Sequence, residues 1–409
     1  MAQQPLTLTP FLAGYFISRI GDALYTFCLP LLSYRLTGSA LVMGSLFAVS
    51  VLPVILFAPL AGAMLDRFDR RRLMLFTDLA RMGLVALVPV LEHFGLLELW
   101  CLYALTLLLS LLSTVYDLAV VTIIPRLAGN GLTRANAGVQ AAGQLADMIG
   151  PAIAGVLVSA FSLTSILWLD VCSFAATLTV LWRLPADSGS RAAASRTGVL
   201  AEMAGGLAWL VRAPVQLALS LQAAIGNFGY SAAYATLTYY LITTLQLSGG
   251  RIGITYSLLA AGGLAGSLAI VLLERHCRYG RLIPLLLLAG TCGFLLPALS
   301  PFWLAPGLGF ALVAACNTAW SILAASVRQR SVPPELLGRV LSFSRVLTRT
   351  AMPLGALLGG WMTGTLPPGA VFLLAAGAKL AEVAIALASP IRRLGRNGAA
   401  SASGDRQHQ

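Results

Sequence analysis

The feature that most restricts this chain is a succession of long apolar runs. Residues 282–301, for example, contain no charged side chain, and only 10% of the 409 residues are charged. A soluble globular chain carries about a quarter charged residues. A run of about 20 apolar residues matches the hydrocarbon thickness of a bilayer. No water there satisfies backbone N–H and C=O groups, so only helices or a closed β-barrel can span. A barrel would alternate polar and apolar residues within ten-residue segments. These runs are continuous and rich in Leu and Ala, so the chain reads as an all-α membrane protein.

Twelve spans are read, at 10–34, 41–65, 73–92, 99–123, 136–160, 163–183, 215–241, 252–273, 282–301, 305–327, 340–363 and 369–390. With the N-terminus inside, alternate loops and the tail place twenty arginines inside and only Arg35 and Arg251 outside. The positive-inside rule therefore predicts both termini in the cytoplasm and an even number of spans. Residues 1–10 carry no basic leader pattern, so the first span is expected to be retained. The predicted organisation is a six-helix bundle at 1–184, a linker at 185–213, a second six-helix bundle at 214–391 and a basic, disordered tail at 392–409. Residues 185–200 are small and polar. After them Met203, Leu207, Leu210 and Val211 recur at helical spacing, which suits a short helix lying on the inner leaflet.

The formal charge of +12 does not point to nucleic acid, because the arginines cap apolar runs instead of forming a soluble basic face. Of 27 Lys+Arg residues, Lys379 is the only lysine. The six cysteines include no Cys-x-x-Cys pair, and the three histidines lie in loops or the tail, so no metal site and no disulfide framework are indicated. No phosphate-cradling Walker sequence is present, which argues against ATP-driven pumping. No cofactor and no enzymatic chemistry are expected.

Between the second and third spans lies Gly62-Ala-Met-Leu-Asp66-Arg67-Phe-Asp69-Arg70-Arg71-Arg72. Gly62, Asp66, Arg67, Arg70 and Arg71 match the loop pattern of the major facilitator superfamily, which the chain resembles over nearly its whole length. Asp69 stands where many members carry glycine. The Phe-Asp-Arg-Arg form resembles the drug:proton antiporter branch that holds macrolide-efflux and enterobactin-type siderophore exporters. Ser18-Arg-Ile-Gly21-Asp22, Leu36-Thr-Gly38-Ser39, Pro125-Arg-Leu with Arg134-Ala-Asn136-Ala, Gly150-Pro151-Ala-Ile-Ala-Gly155 and Arg330-Ser-Val-Pro333 are similar to further pieces of that branch, in the same order. The resemblance implies two pseudo-symmetric six-helix bundles related by an axis along the membrane normal. Two echoes within the chain agree. Asp66-Arg67-x-x-Arg70 recurs as Glu274-Arg275-x-x-Arg278, and Asp147 before Pro151 recurs as Arg349 before Pro353.

Transport needs a cavity, a way to switch its access and usually a titrating group, so charges within spans are the candidates. Asp22 and Asp147 lie near mid-span, where a carboxylate out of water is suited to exchange protons. With Arg19 they form the expected proton-coupling set. The alternatives are a static Arg19/Asp22 pair, and for Asp147 a hydrogen bond to backbone groups freed by Pro151. Asp78/Arg81 and Lys379/Glu382 share the i, i+3 spacing of a one-face pair. Both are read as structural, the first as joining the Gly62–Arg72 loop. Asp170 is expected near the outer surface, solvated or capped. Asp117 is expected to pair with Arg70 or Arg71 as part of the gating loop. The resemblance implies a cavity lined by spans one, four, seven and ten. Tyr15 and Thr26, the stripe Asn227, Tyr230, Ser231, Tyr234 and Thr238, and Asn317 with Trp320 are its expected lining, with ordinary packing as the alternative.

The expected function is secondary active, proton-coupled efflux of an amphipathic small molecule, such as a macrolide-like drug or a siderophore. It would run by alternating access in the bacterial inner membrane, with the protein a monomer. The competing expectations are a lysophospholipid flippase of the same fold and a non-transporting membrane sensor. The second would need a soluble signalling domain, for which 185–200 and the tail are too short.

Overall fold

The computed structural model describes residues 5–57, 69–128, 132–183, 209–332 and 334–395. Twelve long helices run through them: α1 (Pro5–Thr37), α2 (Ala40–Leu56), α3 (Arg70–His93), α4 (Leu99–Ala128), α5 (Leu132–Ala160), α6 (Leu163–Arg183), α7 (Pro214–Thr243), α8 (Gly249–His276), α9 (Tyr279–Leu299), α10 (Ala305–Ser331), α11 (Pro334–Thr365) and α12 (Gly369–Ala388). They correspond in order to the twelve spans read from the sequence. Eight of them are long and apolar enough to cross a membrane, α3 to α6, α8 to α10 and α12. Helices α1 and α7 fall outside that set because they carry ionised and amide side chains or tyrosines along their length. Large apolar side chains such as Trp100, Val121, Trp182 and Leu299 stand open on outward faces. In water such faces would be unfavourable; against lipid tails they are matched.

The helix ends follow from local chemistry. Gly38 takes a positive φ of 62°, which stops α1 without the steric cost of a Cβ. The Ser39 side chain then accepts a hydrogen bond from the Val42 backbone N–H and caps α2. Asp69 caps α3 in the same way, its Oδ1 accepting from the Arg72 N–H at 2.9 Å. The residue that departs from the family's loop pattern therefore starts a helix. Arg35 at the end of α1 pairs with Glu92 near the end of α3.

The chain divides into two compact units. The first comprises residues 1–195 with 241–257, and the second residues 196–240 with 258–409. In the first unit α1 packs on α5 and α6, and α3 on α4 and α6. Phe11, Met74, Tyr116, Ile124 and Leu181 form its core. Small residues let the 241–257 segment join this unit, since a Cβ on Gly253 would meet the Gly155 Cα at 2.7 Å. In the second unit α9 packs on α10 and α12, around Leu219, Tyr279, Ile283, Leu323 and Ile391.

The tail differs from expectation at its start. Residues 390–393 form a 3₁₀ turn with Ile391 buried. The carbonyls of Leu394 and Gly395 accept hydrogen bonds from the first N–H groups of α9, at Gly280 and Tyr279. These are orphan donors of a helix N-terminus, and satisfying them orders the chain as far as Gly395. The rest of the tail, the 185–200 linker and the Gly62, Asp66 and Arg67 positions lie outside the described residues.

Candidate functional site

Among the described residues, each unit holds a cluster of charge in its interior. In the first unit the centre is Arg81 on α3, whose side chain is 4% exposed. Its guanidinium lies between two rings, 5.3 Å from the centroid of Tyr116 and 4.7 Å from that of Phe174. Flat packing of this kind suits a planar, weakly hydrated cation. One nitrogen donates to Asp22 on α1, and another to Asp78 Oδ1 at 3.3 Å. Asp22 also lies 3.7 Å from Arg19, which reaches Asp147 on α5 at 3.7 Å. A chain of alternating charge thus runs from α5 through α1 to α3.

Asp170 on α6 completes this cluster and is fully buried. Ser173 donates to its Oδ1 at 3.3 Å. A Cβ on Gly21 would strike both Ser173 and Asp170, so the glycine lets α1 approach the carboxylate. One oxygen each of Asp78 and Asp170 has no hydrogen-bond partner among the described residues. Buried carboxylates that outnumber their cation are costly and mark functional or conformationally sensitive sites.

Three expectations meet the structure here. Asp170 is not solvated but wholly enclosed, because α1 and α6 pack at Gly21. The Asp78/Arg81 pair turns inward to Asp22, and loop residues 58–68 after α2, which it was expected to join, lie outside the described residues. The Asp147 side chain is 57% exposed, where a carboxylate out of water was expected, and it pairs with Arg19. Of the arginines after α2, Arg70 and Arg71 both reach backbone carbonyls of neighbouring helices. Arg71 donates to the Leu181 and Trp182 carbonyls at 2.8 and 2.6 Å, satisfying the C-terminal end of α6. Arg70 reaches the Thr122 carbonyl at 3.4 Å. Asp117 is exposed on α4, next to buried Tyr116. Tyr15 sits in the core, its ring stacked on Phe11 with centroids 6.3 Å apart. Thr26 turns its hydroxyl back to the Asp22 carbonyl at 2.8 Å.

In the second unit the cluster centres on Lys379 and Glu382 of α12, both buried. Lys379 Nζ donates to Asn317 Oδ1 of α10 at 2.8 Å and to Glu382 Oε2 at 3.2 Å. Gln222 of α7 donates to the Glu382 backbone carbonyl at 2.9 Å and accepts from the Trp320 indole at 3.3 Å. A Cβ on Gly226 would sit 2.6 Å from Glu382 Oε1, so that glycine admits the carboxylate. These groups line a cleft of about 290 Å³ together with Asn227, Thr318 and Ser321. Asn227 donates to the Thr348 carbonyl of α11 at 3.1 Å. Further along α7, Tyr230 stacks on Tyr234 at 5.7 Å and meets the Phe310 edge at 6.3 Å. Ser231 and Thr238 of the same expected stripe are buried, Ser231 donating to the Met352 carbonyl.

The structure thus brings together Arg19, Asp22 and Asp147 in one unit and Asn227, Asn317 and Trp320 in the other. It adds Arg81, Asp78 and Asp170 to the first set and Gln222, Lys379 and Glu382 to the second. The i, i+3 spacing had shown four of these additions as two pairs. Nothing in the local sequence showed which interior they face. Among the described residues no group of three or more metal-ligating side chains occurs.

A helical chain with eight clear membrane-crossing helices and a charge cluster inside each of two units has the make-up of a multi-pass membrane transporter. The comparisons are more particular: the chain belongs to the Major Facilitator Superfamily, whose family model matches residues 11–355. It is 25% identical over 356 residues to macrolide efflux protein A of Streptococcus pyogenes, covering 85% of this chain and 86% of that protein. It is 26% identical over 369 residues to the multidrug efflux pump Tap of Mycolicibacterium fortuitum, covering 87% and 88%. Among solved structures, a point mutant of the nucleoside transporter NupG shares the fold. It has a TM-score of 0.76, 13% identity and coverage of 93% of this chain and 99% of that one.

Proposed function

We propose that this transporter exports an amphipathic small molecule across the bacterial inner membrane in exchange for protons, by alternating access. The observation that carries the reading is Asp22. It is a half-buried carboxylate in the middle of α1, shared between buried Arg81 and half-buried Arg19. Arg19 links it to the open Asp147. A carboxylate so placed ties α1 to α3 through charge while staying within reach of water, so its partners can change as access switches. The relatives at about a quarter identity support efflux as the direction. The half-buried amides and rings of α7 and α10 support an amphipathic cargo, since rings supply contact area and amides orient.

The test is efflux from inverted vesicles carrying the purified protein, with and without an imposed pH gradient. Asp22→Asn is expected to lose gradient-driven accumulation while keeping downhill exchange of the same compound. Asp147→Asn, whose carboxylate is more than half exposed, is expected to retain accumulation with an altered dependence on external pH. Gradient-driven accumulation that survives both changes together would refute proton coupling through this cluster.

A further inference from the structure

We propose that the start of α9 and the turn after α12 together bind a phospholipid with an anionic headgroup, in the leaflet that the arginine asymmetry assigns to the cytoplasm. The site begins with a backbone clasp. The Leu394 and Gly395 carbonyls accept from the Gly280 and Tyr279 N–H groups at 3.1 and 3.3 Å. A Cβ on Gly280 would sit 2.3 Å from the Arg392 carbonyl oxygen, so glycine is what admits the turn. Ile391 and Leu394 anchor it in the core of the second unit, together with Tyr279. The clasp therefore brings Arg392 and Arg393 beside Arg278 and Arg281, which lie far from them in the chain.

All four arginine side chains are exposed. Among the described residues none of the four makes a side-chain hydrogen bond or an ion pair. Glu274, at the end of α8, accepts from the Tyr279 hydroxyl at 3.1 Å instead. Four like charges gathered without a counter-charge repel one another, and an anion bound among them removes that cost. The anion must be held by these side chains, because the first N–H groups of α9 are already taken by the tail carbonyls. A guanidinium forks onto two oxygens of one phosphate, which makes phosphate the matching group.

What selects a lipid over a soluble phosphate is the wall beyond the arginines. Arg281, Leu285 and Leu288 follow at i, i+4 and i+7, so they share one face of α9, and all three are exposed. Acyl chains can lie along the leucines while the phosphate stays at the arginine end. Phosphatidylglycerol carries a net negative charge. In phosphatidylcholine the phosphate is balanced by the lipid's own ammonium, so the site discriminates between the two.

The test is lipid retention, counted by native mass spectrometry. Purified full-length protein is titrated in mixed micelles with phosphatidylglycerol or with phosphatidylcholine. The wild-type protein should hold one phosphatidylglycerol more tightly than any phosphatidylcholine; equal retention of the two would overturn the site. A surface arginine is worth about fivefold in binding an anionic lipid surface. Arg392→Gln with Arg393→Gln should therefore lower the preference on the order of tenfold. Arg183→Gln with Arg212→Gln removes the same charge from other connections assigned to the cytoplasm and should leave the preference nearly unchanged. Equal losses from the two double variants would reduce the site to the general attraction of a basic surface. Gly280→Ala keeps all four arginines but presses on the clasp, and it should weaken retention. Full retention in Gly280→Ala would overturn the role of the clasp in gathering the arginines. The arginines are exposed, so their replacement tests the site even if Gly280→Ala does not fold. Inorganic phosphate, at an ionic strength matched with chloride, should fail to displace the lipid. Complete displacement would make this a site for soluble anions and overturn the lipid. None of these outcomes depends on the efflux reading, which the vesicle assay tests separately.

Discussion

Arg81 shows what one side chain can hold together. Its charge serves Asp22 and Asp78 on two helices, and its faces carry the rings of Tyr116 and Phe174. Arg81→Ala leaves Asp78 fully buried without a cation, a change that costs about 3–5 kcal/mol when a buried pair is broken. The expected result is a clear fall in unfolding temperature in nanodiscs. Removing the stranded charge as well should return part of the loss, so Arg81→Ala with Asp78→Asn should be more stable than Arg81→Ala alone. Equal stability of the single and double variants would mean that Asp78 does not depend on Arg81. Arg81→Lys should recover little, since an ammonium cannot fork to two carboxylates and stack between rings.

At the scale of the helix, the decisive positions are glycines that bring backbones together. A Cβ on Gly355 of α11 would strike the Phe228 carbonyl and the Ser231 hydroxyl of α7, and one on Gly359 would sit 2.5 Å from the Ala232 carbonyl. On α8, Gly262 and Gly266 face Ala311 and Ala315 of α10 in the same manner. Close approach of small residues is how membrane helices associate when lipid removes the hydrophobic drive between them. Gly355→Val should therefore destabilise the α7–α11 contact by about 1–3 kcal/mol or more and lower the yield of monodisperse protein on size exclusion. Gly364 on the same helix has nothing within 4 Å of a built Cβ. Gly364→Ala should be neutral or stabilising by up to about 1 kcal/mol, because alanine is the better helix former. If both substitutions behaved alike, the packing account of α11 would fail.

For the whole molecule, the prediction concerns its direction in the membrane. The arginine asymmetry, twenty inside against Arg35 and Arg251 outside, predicts cytoplasmic termini. A fluorescent protein fused after Gln409 should fluoresce, and alkaline phosphatase fused at the same place should be inactive. Active phosphatase at that position would reverse the orientation and, with it, the reading of which face takes up protons. Two compact units, each with its own core and its own charge cluster, fit the superfamily to which the chain belongs.

The sequence by itself determined the class and the order of the twelve helices. Twenty-residue apolar runs have one inexpensive solution in a bilayer, and charge in the connecting loops is confined to its surfaces. Local chemistry was legible in the same way at Gly38-Ser39, where a positive φ and a cap act within a few residues. The i, i+3 spacing also showed Asp78/Arg81 and Lys379/Glu382 as pairs, because one helix alone fixes that geometry. What the pairs face was left to tertiary packing. Arg81 meets an aspartate 59 positions away, and Lys379 an asparagine 62 positions away. Asp170 is enclosed because Gly21, distant in the chain, lets α1 close over it. A helix has an interior side only once its neighbours are in place, so periodicity can name the residues of a charge cluster but only the packed bundle decides which of them meet.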